Sequence, residues 1–249
     1  LYVGTIVSKD GKYMEEKMDK MNSIVEMIKD KQPSIICCQE TMPHMAKFLN
    51  AKIGCNYNCY GREAFFGTNL VKSLLSNTLG NIIFYDKSKF DLISKETLWL
   101  SDKPNFPSKT WGNTEKRNCT IVQLKNKETN KVYTIINTHF DHLLKEARTK
   151  STDFIINLIN NKYNNTECYV LGDLNAKIND EELVKFKTFN YYPNESNNIK
   201  TTFNGFTKNK KSVIDYIITN SNETKNFDLI TDGYGVQYLS DHYPITINL

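Results

Sequence analysis

The run Cys168-Tyr169-Val170-Leu171 is apolar throughout and ends abruptly at Gly172-Asp173-Leu174-Asn175-Ala176. Such a run is long enough for one buried strand. Gly172 allows a tight exit from it. Asp173 and Asn175, two apart on an extended segment, point the same way. A carboxylate able to take a proton from water then stands beside an amide able to hold that water or a phosphate oxygen, at the mouth of a sheet. Alone, the stretch is equally an Asx turn after a strand, because Gly, Asp and Asn are ordinary turn residues. The other strand ends decide between the two.

A β-branched run predicts a strand over Tyr2–Val7. Met14, Met18, Met21, Val25 and Ile28 recur at helical spacing and predict a helix over Tyr13–Lys31, stopped by Pro33. Ser34–Cys38 reads as a strand buried on both faces, with Gln39 and Glu40 at its end. A short helix is expected over Pro43–Leu49. Strands are expected over Asn56–Tyr60, Asn81–Tyr85 and Phe90–Leu100, and Gly61–Thr78 is a polar connection carrying Arg62. Ser101–Thr114 reads as a long loop, of the kind that is functional or mobile in a compact domain. Asn118–Leu124 and Val132–Asn137 read as a hairpin. A second helix is expected over Leu143–Tyr163, with Leu144, Ala147, Phe154, Ile155, Leu158 and Ile159 on one face. Glu181–Phe186 reads as a short helix and Asn190–Lys211 as a polar loop. Val213–Ile218 is a predicted strand with Asp215 among apolar neighbours, and Pro244–Leu249 a final alternating strand.

Strands outnumber helices, and no repeat, linker or composition break divides the 249 residues. The expectation is one domain over 1–249 with a sheet-on-sheet core and helices on its outer faces. Hydrophobic content of 39% and charged content of 24% describe an ordinary soluble globular chain. No run of about 18 apolar residues could span a membrane. The net charge of +4 suits an anionic substrate without demanding nucleic acid. The sequence opens without Met or a basic-apolar leader, so a cytoplasmic location is expected, or a secreted one if a leader has been trimmed. A monomer is expected. Four of the cysteines (Cys37, Cys38, Cys119 and Cys168) lie in apolar runs and read as free core thiols. Cys55 and Cys59 could bridge or bind metal, but no second pair has zinc spacing, and free thiols are the expectation.

Acidic and imidazole groups gather at strand ends. His139 and His142 fall in Asn137-Thr138-His139-Phe140-Asp141-His142, and His242 in Ser240-Asp241-His242. Glu40 and Asp173 end strands of their own. Sites in layered sheets form where strand ends and loops meet. Asp215 is the hardest to explain as surface decoration, because a buried carboxylate needs a cation, a metal or several donors. A histidine is its natural partner, and His242 is the candidate.

With these residues in hand, the chain resembles the endonuclease/exonuclease/phosphatase superfamily, the deoxyribonuclease I-like metal-dependent hydrolases. The resemblance is carried, in the family's order, by Cys38-Gln39-Glu40, the Asn137–His142 stretch, Gly172–Ala176, Ile214-Asp215-Tyr216 and Ser240-Asp241-His242-Tyr243-Pro244. Leu98–Pro104, Trp111-Gly112, Arg117 and Ala147-Arg148 are similar to a bacterial-type subgroup of uncharacterised members. The resemblance implies an α/β fold, a four-layer α/β sandwich of two packed, mainly antiparallel sheets flanked by helices. It implies that Glu40 and Asp241 hold Mg²⁺, or Mn²⁺, and that Asp173 orients or deprotonates the attacking water. Asn175 would bind water or phosphate, and His242, oriented by Asp215, would stabilise phosphoryl charge or transfer a proton. His139 would contact the phosphate from the other side, with Asp141 as an available partner. Arg62 and Arg117 are candidate substrate contacts, weighed against surface salt bridges.

Two positions depart from the family pattern. Val7 aligns where the family carries Asn near the metal, and Leu79 where it often has Glu beside the first histidine. The resemblance, carried by the retained Glu40, His139, Asp173, Asn175, Asp215, Asp241 and His242, still implies a Mg²⁺-dependent phosphoester hydrolase of phosphodiesterase or nuclease type. The alternative is a phosphate-ligand-binding member of the same fold whose catalysis is weakened or lost. The substrate class stays open among nucleic acid, a phospholipid head group and a small phosphorylated metabolite.

Overall fold

A computed structural model describes residues 11–61, 80–207, 209 and 211–249. The expected strand at Tyr2–Val7, the connection carrying Arg62, and Val7 and Leu79 lie outside the described residues. The described residues begin with helix α1 (Gly11–Lys31), strand β1 (Ile35–Thr41), helix α2 (Pro43–Ile53) and strands β2 (Tyr57–Tyr60), β3 (Gly80–Asp86) and β4 (Phe90–Trp99). It continues with β5 (Asn118–Asn126), β6 (Val132–His139), helix α3 (Lys145–Asn157), β7 (Glu167–Asp173) and β8 (Asn190–Tyr192). Strands β9 (Asp215–Thr219), β10 (Phe227–Leu229) and β11 (Ile245–Ile247) complete it.

Two sheets face each other. One runs β1-β3-β2; the other, six-stranded, runs β4-β5-β6-β7-β9-β8, and β10 pairs with β11 beside them. The named pairings are antiparallel except β6 with β7. Between the sheets lie Ile83, Tyr85, Val122, Leu124, Ile135, Tyr169 and Ile217, with Ile245 and Ile247 of β11 packed against them. The period of two then turns Ile121, Ile136, Val170 and Ile218 to the opposite face, where they meet Ile155 of α3. On the far side, Ile24, Val25 and Ile28 of α1 and Met45 and Leu49 of α2 cover Ile36, Cys38, Ile82 and Phe84. Helix, sheet, sheet and helix are thus stacked as the α/β sandwich expected from the sequence.

Several expectations are corrected. Met18, read into the apolar stripe of α1, is 44% exposed, and Ile24 and Met27 belong to the core instead. α3 starts later than Leu143 and passes at Leu158 into one wide turn, in which Tyr163 N–H reaches Leu158 O at 2.9 Å. No α-helix forms over Glu181–Phe186. Leu183 and Val184 N–H both return to Asp180 O as a turn, and only Val184–Thr188 coils further, as a 3₁₀ turn. The segment Asn190–Lys211, read as loop, carries edge strand β8. Asp215 does not sit inside its strand but opens it. None of the six cysteines is in a disulfide, and burial pushes the Cys119 thiol up to about 12.

At one end of the sandwich the sheets are tied by amides. Asn137 of β6 is fully buried and donates from Nδ2 to Cys38 O and to Ile82 O, each at 2.9 Å. Gln39 Nε2 donates to Asn137 Oδ1 at 2.7 Å. Beside it, Asn81 Nδ2 donates to Asn118 O at 2.9 Å. These bonds satisfy carbonyls that would otherwise be orphaned between the layers.

Candidate active site

Three strands of the large sheet meet this same end. His139 closes β6, Asp173 closes β7 and Asp215 opens β9. The ladders pair His139 with Asp173 and Asp173 with Asp215. Directly paired residues share a face, so the three side chains stand in a row. β7 approaches β6 this closely because residue 172 has no side chain: a Cβ there would fall 1.9 Å from Thr138 O. Beyond the strand, Asn175 N–H donates to Asp173 Oδ1 at 2.8 Å, so the Asx turn is real. It also serves the site, since it aims Asn175 Nδ2 at His139 Nε2, 2.9 Å away.

Glu40 arrives from the smaller sheet. The β1–β3 register shifts between Cys38 and Thr41, and Glu40 sits in that irregularity with φ +49°. A bulge re-aims a side chain, and left-handed backbone at a residue other than glycine persists only where the surroundings impose it. Glu40 Oε1 lies 3.4 Å from His139 Nδ1.

The last segment is brought in by Thr202. Its hydroxyl accepts from Ile214 N–H and Asp215 N–H at 3.1 Å each, and its carbonyl accepts from Tyr243 N–H at 2.7 Å. This brace sets His242 against Asp215, with Nδ1 3.0 and 2.9 Å from the two carboxylate oxygens. The opposite nitrogen, Nε2, points to Asp173 Oδ2 at 3.7 Å, and the ring packs on Phe203 with centroids 4.8 Å apart. Thr202 lay unnoticed in the sequence, because nothing local in a polar stretch marks a hydroxyl that bonds thirteen residues away.

The two histidines differ electrically. Burial works against charge on His242, but Asp215 overrides it and raises the imidazole to about 9. His139 is held well below its ordinary value by burial, then by the Arg117 cation. Burial and the neighbouring Asp215 push the Asp173 carboxyl well above the usual carboxylate range, opposed by His242. Burial also raises Asp241, which accepts from Ser240 Oγ at 3.1 Å.

Neutral His139 meets donors as well as carboxylates. Arg117 Nη1 stands 3.0 Å from Nδ1, and Asn175 Nδ2 stands at Nε2 while donating also to Phe140 O at 3.1 Å. A neutral imidazole has one lone pair for hydrogen bonding. One of these donors therefore lacks an acceptor on the ring, and carboxylate oxygens of Glu40 and Asp173 lie beside the two ring nitrogens, at 3.4 and 3.5 Å. Arg117 is 6% exposed rather than a surface residue. Its Nη2 lies 3.3 Å from His142 Nδ1 and 3.8 Å from the exposed Glu115, and its Nε has no partner among the described residues.

The structure thus gathers Glu40, Arg117, His139, Asp173, Asn175, Asp215 and His242, with Asp241 beside the last. Asp141 is placed differently: its carboxylate accepts from Leu143, Leu144 and Thr114, not from an imidazole. Arg62 lies outside the described residues. Among the described residues, possible metal-ligand atoms of Asp173, Asp215 and His242 fall within 4.8 Å of one another. His242 Nδ1 is already committed to Asp215 there.

Residues 11–242 match the model of the Endonuclease/Exonuclease/phosphatase family. An uncharacterised protein of Acanthamoeba polyphaga mimivirus is 27% identical over 204 residues, covering 78% of this chain and 70% of its own. The crystal structure of an endonuclease/exonuclease/phosphatase from Bacteroides vulgatus superposes with TM-score 0.79 at 23% identity, covering 92% of this chain and 89% of that one. A mannosyl-6-phosphatase from Bacteroides thetaiotaomicron superposes with TM-score 0.77 at 22% identity, covering 99% and 97%.

Proposed function

The chain belongs to the Endonuclease/Exonuclease/phosphatase family and is a phosphoester hydrolase, and we propose that it is a Mg²⁺-dependent phosphodiesterase of nuclease type, working as one domain over 1–249. The observation that carries this reading is the row His139–Asp173–Asp215, with His242 closing it and Glu40 facing it from the other sheet.

The donor set fits a divalent ion. Glu40, Asp173, Asp215 and Asp241 bring an excess of carboxylate over the cations His242 and Arg117, and burial destabilises the charge on Asp173 and Asp241. Hard oxygen ligands suit Mg²⁺, or Mn²⁺. Glu40 and Asp241 would hold it, and when bound it would neutralise charge on the phosphoryl and leaving oxygens.

The remaining work falls to side chains. Asp173, made more basic by its setting, takes the proton of the attacking water as oxygen bonds to phosphorus. His242, charged through Asp215, stabilises the phosphoryl oxygens and gives its Nε2 proton to the leaving oxygen as the P–O bond breaks. Asn175 Nδ2, neutral His139 and Arg117 hold the non-bridging oxygens. Asp141 serves as a positioning residue rather than a group that touches substrate.

A panel of a nucleic acid, a phospholipid, a sugar phosphate, p-nitrophenyl phosphate and its bis ester, each with Mg²⁺ and with Mn²⁺, tests the reading. Diester turnover above monoester turnover supports it. Turnover of monoesters alone would move the assignment toward the activity for which the Bacteroides thetaiotaomicron mannosyl-6-phosphatase is named. Phosphate binding without turnover under either metal would favour the non-catalytic alternative.

A further inference from the structure

Among the described residues, Arg117 has no strong ion pair to hold it. It rests on two imidazole nitrogens, with Glu115 3.8 Å away and half exposed. A free arginine side chain has up to about 2 kcal/mol of rotamer entropy to lose, so its placement must come from the backbone that carries it. That backbone is the long connection from β4 to β5. Its first half is tied to itself: Trp111 Nε1 donates to Asp102 Oδ1 at 2.7 Å, and Asp102 N–H donates to Thr110 Oγ1 at 2.7 Å. Its second half is held partly by the first, Leu100 N–H donating to Arg117 O at 2.8 Å and Lys109 Nζ to Thr114 O at 3.0 Å, and partly from outside.

Asp141 holds it. Oδ2 accepts from both Thr114 N–H and Thr114 Oγ1–H at 3.1 Å, three residues before Arg117. Oδ1 accepts from Leu143 and Leu144 N–H at 2.9 Å each, at the entry to α3. Capping alone would need only Oδ1. The carbonyl of the same residue accepts from Arg148 Nη1 at 2.9 Å, while Arg148 Nε and Nη2 donate to Glu182 Oε1 at 3.0 and 2.6 Å. Asp141, Arg148 and Glu182 are all buried, and Glu182 Oε2 has no partner among the described residues. A buried ion pair is a poor source of net stability, especially one left short of a hydrogen bond. Its use here is geometric. Asp141 stands two residues after His139, so one braced carboxylate fixes both the strand end bearing His139 and the segment bearing Arg117.

We propose that Asp141, backed by the Arg148–Glu182 pair, is a positioning unit that sets Arg117 against His139 for oxyanion recognition. This rests on the reading of the pocket as a phosphoester site. Asp141→Asn is the informative variant, because the amide keeps one acceptor for the α3 entry and turns a donor toward Thr114. Thr114→Val is a milder companion. Two measurements separate the claims: ¹⁵N relaxation of the Arg117 guanidinium, which needs no ligand, and inorganic phosphate binding in a double-mutant cycle with Arg117→Gln.

Asp141→Asn should mobilise the Arg117 guanidinium while leaving far-UV circular dichroism intact. It should weaken phosphate binding at least about tenfold, and less than about twofold when Arg117→Gln is already present, the non-additivity expected of residues acting through one another. An immobile Arg117 in Asp141→Asn, or equal losses in both backgrounds, would overturn the proposal. If wild type binds no phosphate yet Arg117 loses order in Asp141→Asn, the positioning unit stands and the phosphoester reading fails.

Discussion

His242 turns Nδ1 to both oxygens of Asp215, at 3.0 and 2.9 Å, which leaves Nε2 aimed at Asp173. Asp215→Asn keeps the shape but removes the charge that keeps the imidazole protonated. Turnover of a diester should fall about 10²–10⁴-fold, the range for a lost general acid, with KM little changed. A drop confined to KM would show that the pair only binds.

The same pair sets a pH dependence of stability. Its folded value, raised to about 9, lies above the ordinary 6.5. The stabilisation is therefore complete below 6.5 and is lost as pH rises through 9, amounting to roughly 3 kcal/mol at most. Urea unfolding of metal-free protein should show wild type and Asp215→Asn converging across that window. A gap between them that ignores pH would contradict the assignment.

Gly172 lies against Thr138, where a Cβ would sit 1.9 Å from the carbonyl oxygen. Gly172→Ala must push β7 from β6, separating Asp173 from His139. Unfolding free energy should drop by about 3 kcal/mol or more, beyond ordinary overpacking, and activity should fall with it. A variant with wild-type denaturation midpoint would refute this packing.

Asn137 joins the sheets through Cys38 O, Ile82 O and Gln39. Asn137→Ala leaves those buried groups unpaired, at about 1–3 kcal/mol each. Asn137→Asp, though the same shape, sets carboxylate oxygen against two carbonyls and should be no better tolerated. Thermal unfolding of the two variants measures this, and an Asp variant as stable as wild type would rule it out.

How much of this was legible in the sequence depended on how local each cause is. Glu40 and Asp173 could be found because an apolar run stops at each of them. The pairing of Asp215 with His242 followed from the cost of a buried carboxylate. The start of β9 did not, because Thr202 caps Ile214 and Asp215 from a distant segment. The helix expected at Glu181–Phe186 fails because Thr152 Oγ1 claims the Glu182 carbonyl and Arg148 its carboxylate. β8 is too short to show a period and exists only against β9. Asp141 looked like an imidazole's partner from its place in the motif, and only the fold reveals Thr114 beside it.

Metal binding should appear as stability. At about 100 times its Kd, Mg²⁺ should add about 2.7 kcal/mol to the folded state, a rise of roughly 5–10 °C in Tm for a chain of this size. Glu40→Gln should abolish the rise. An equal rise in that variant would place the ion elsewhere.

The central claim is tested most directly by hydrolysis of bis-p-nitrophenyl phosphate by wild type and Asp173→Ala, with Mg²⁺ and with chelator. Turnover is predicted for wild type with Mg²⁺ alone. Equal, background rates in both proteins under both conditions would contradict it.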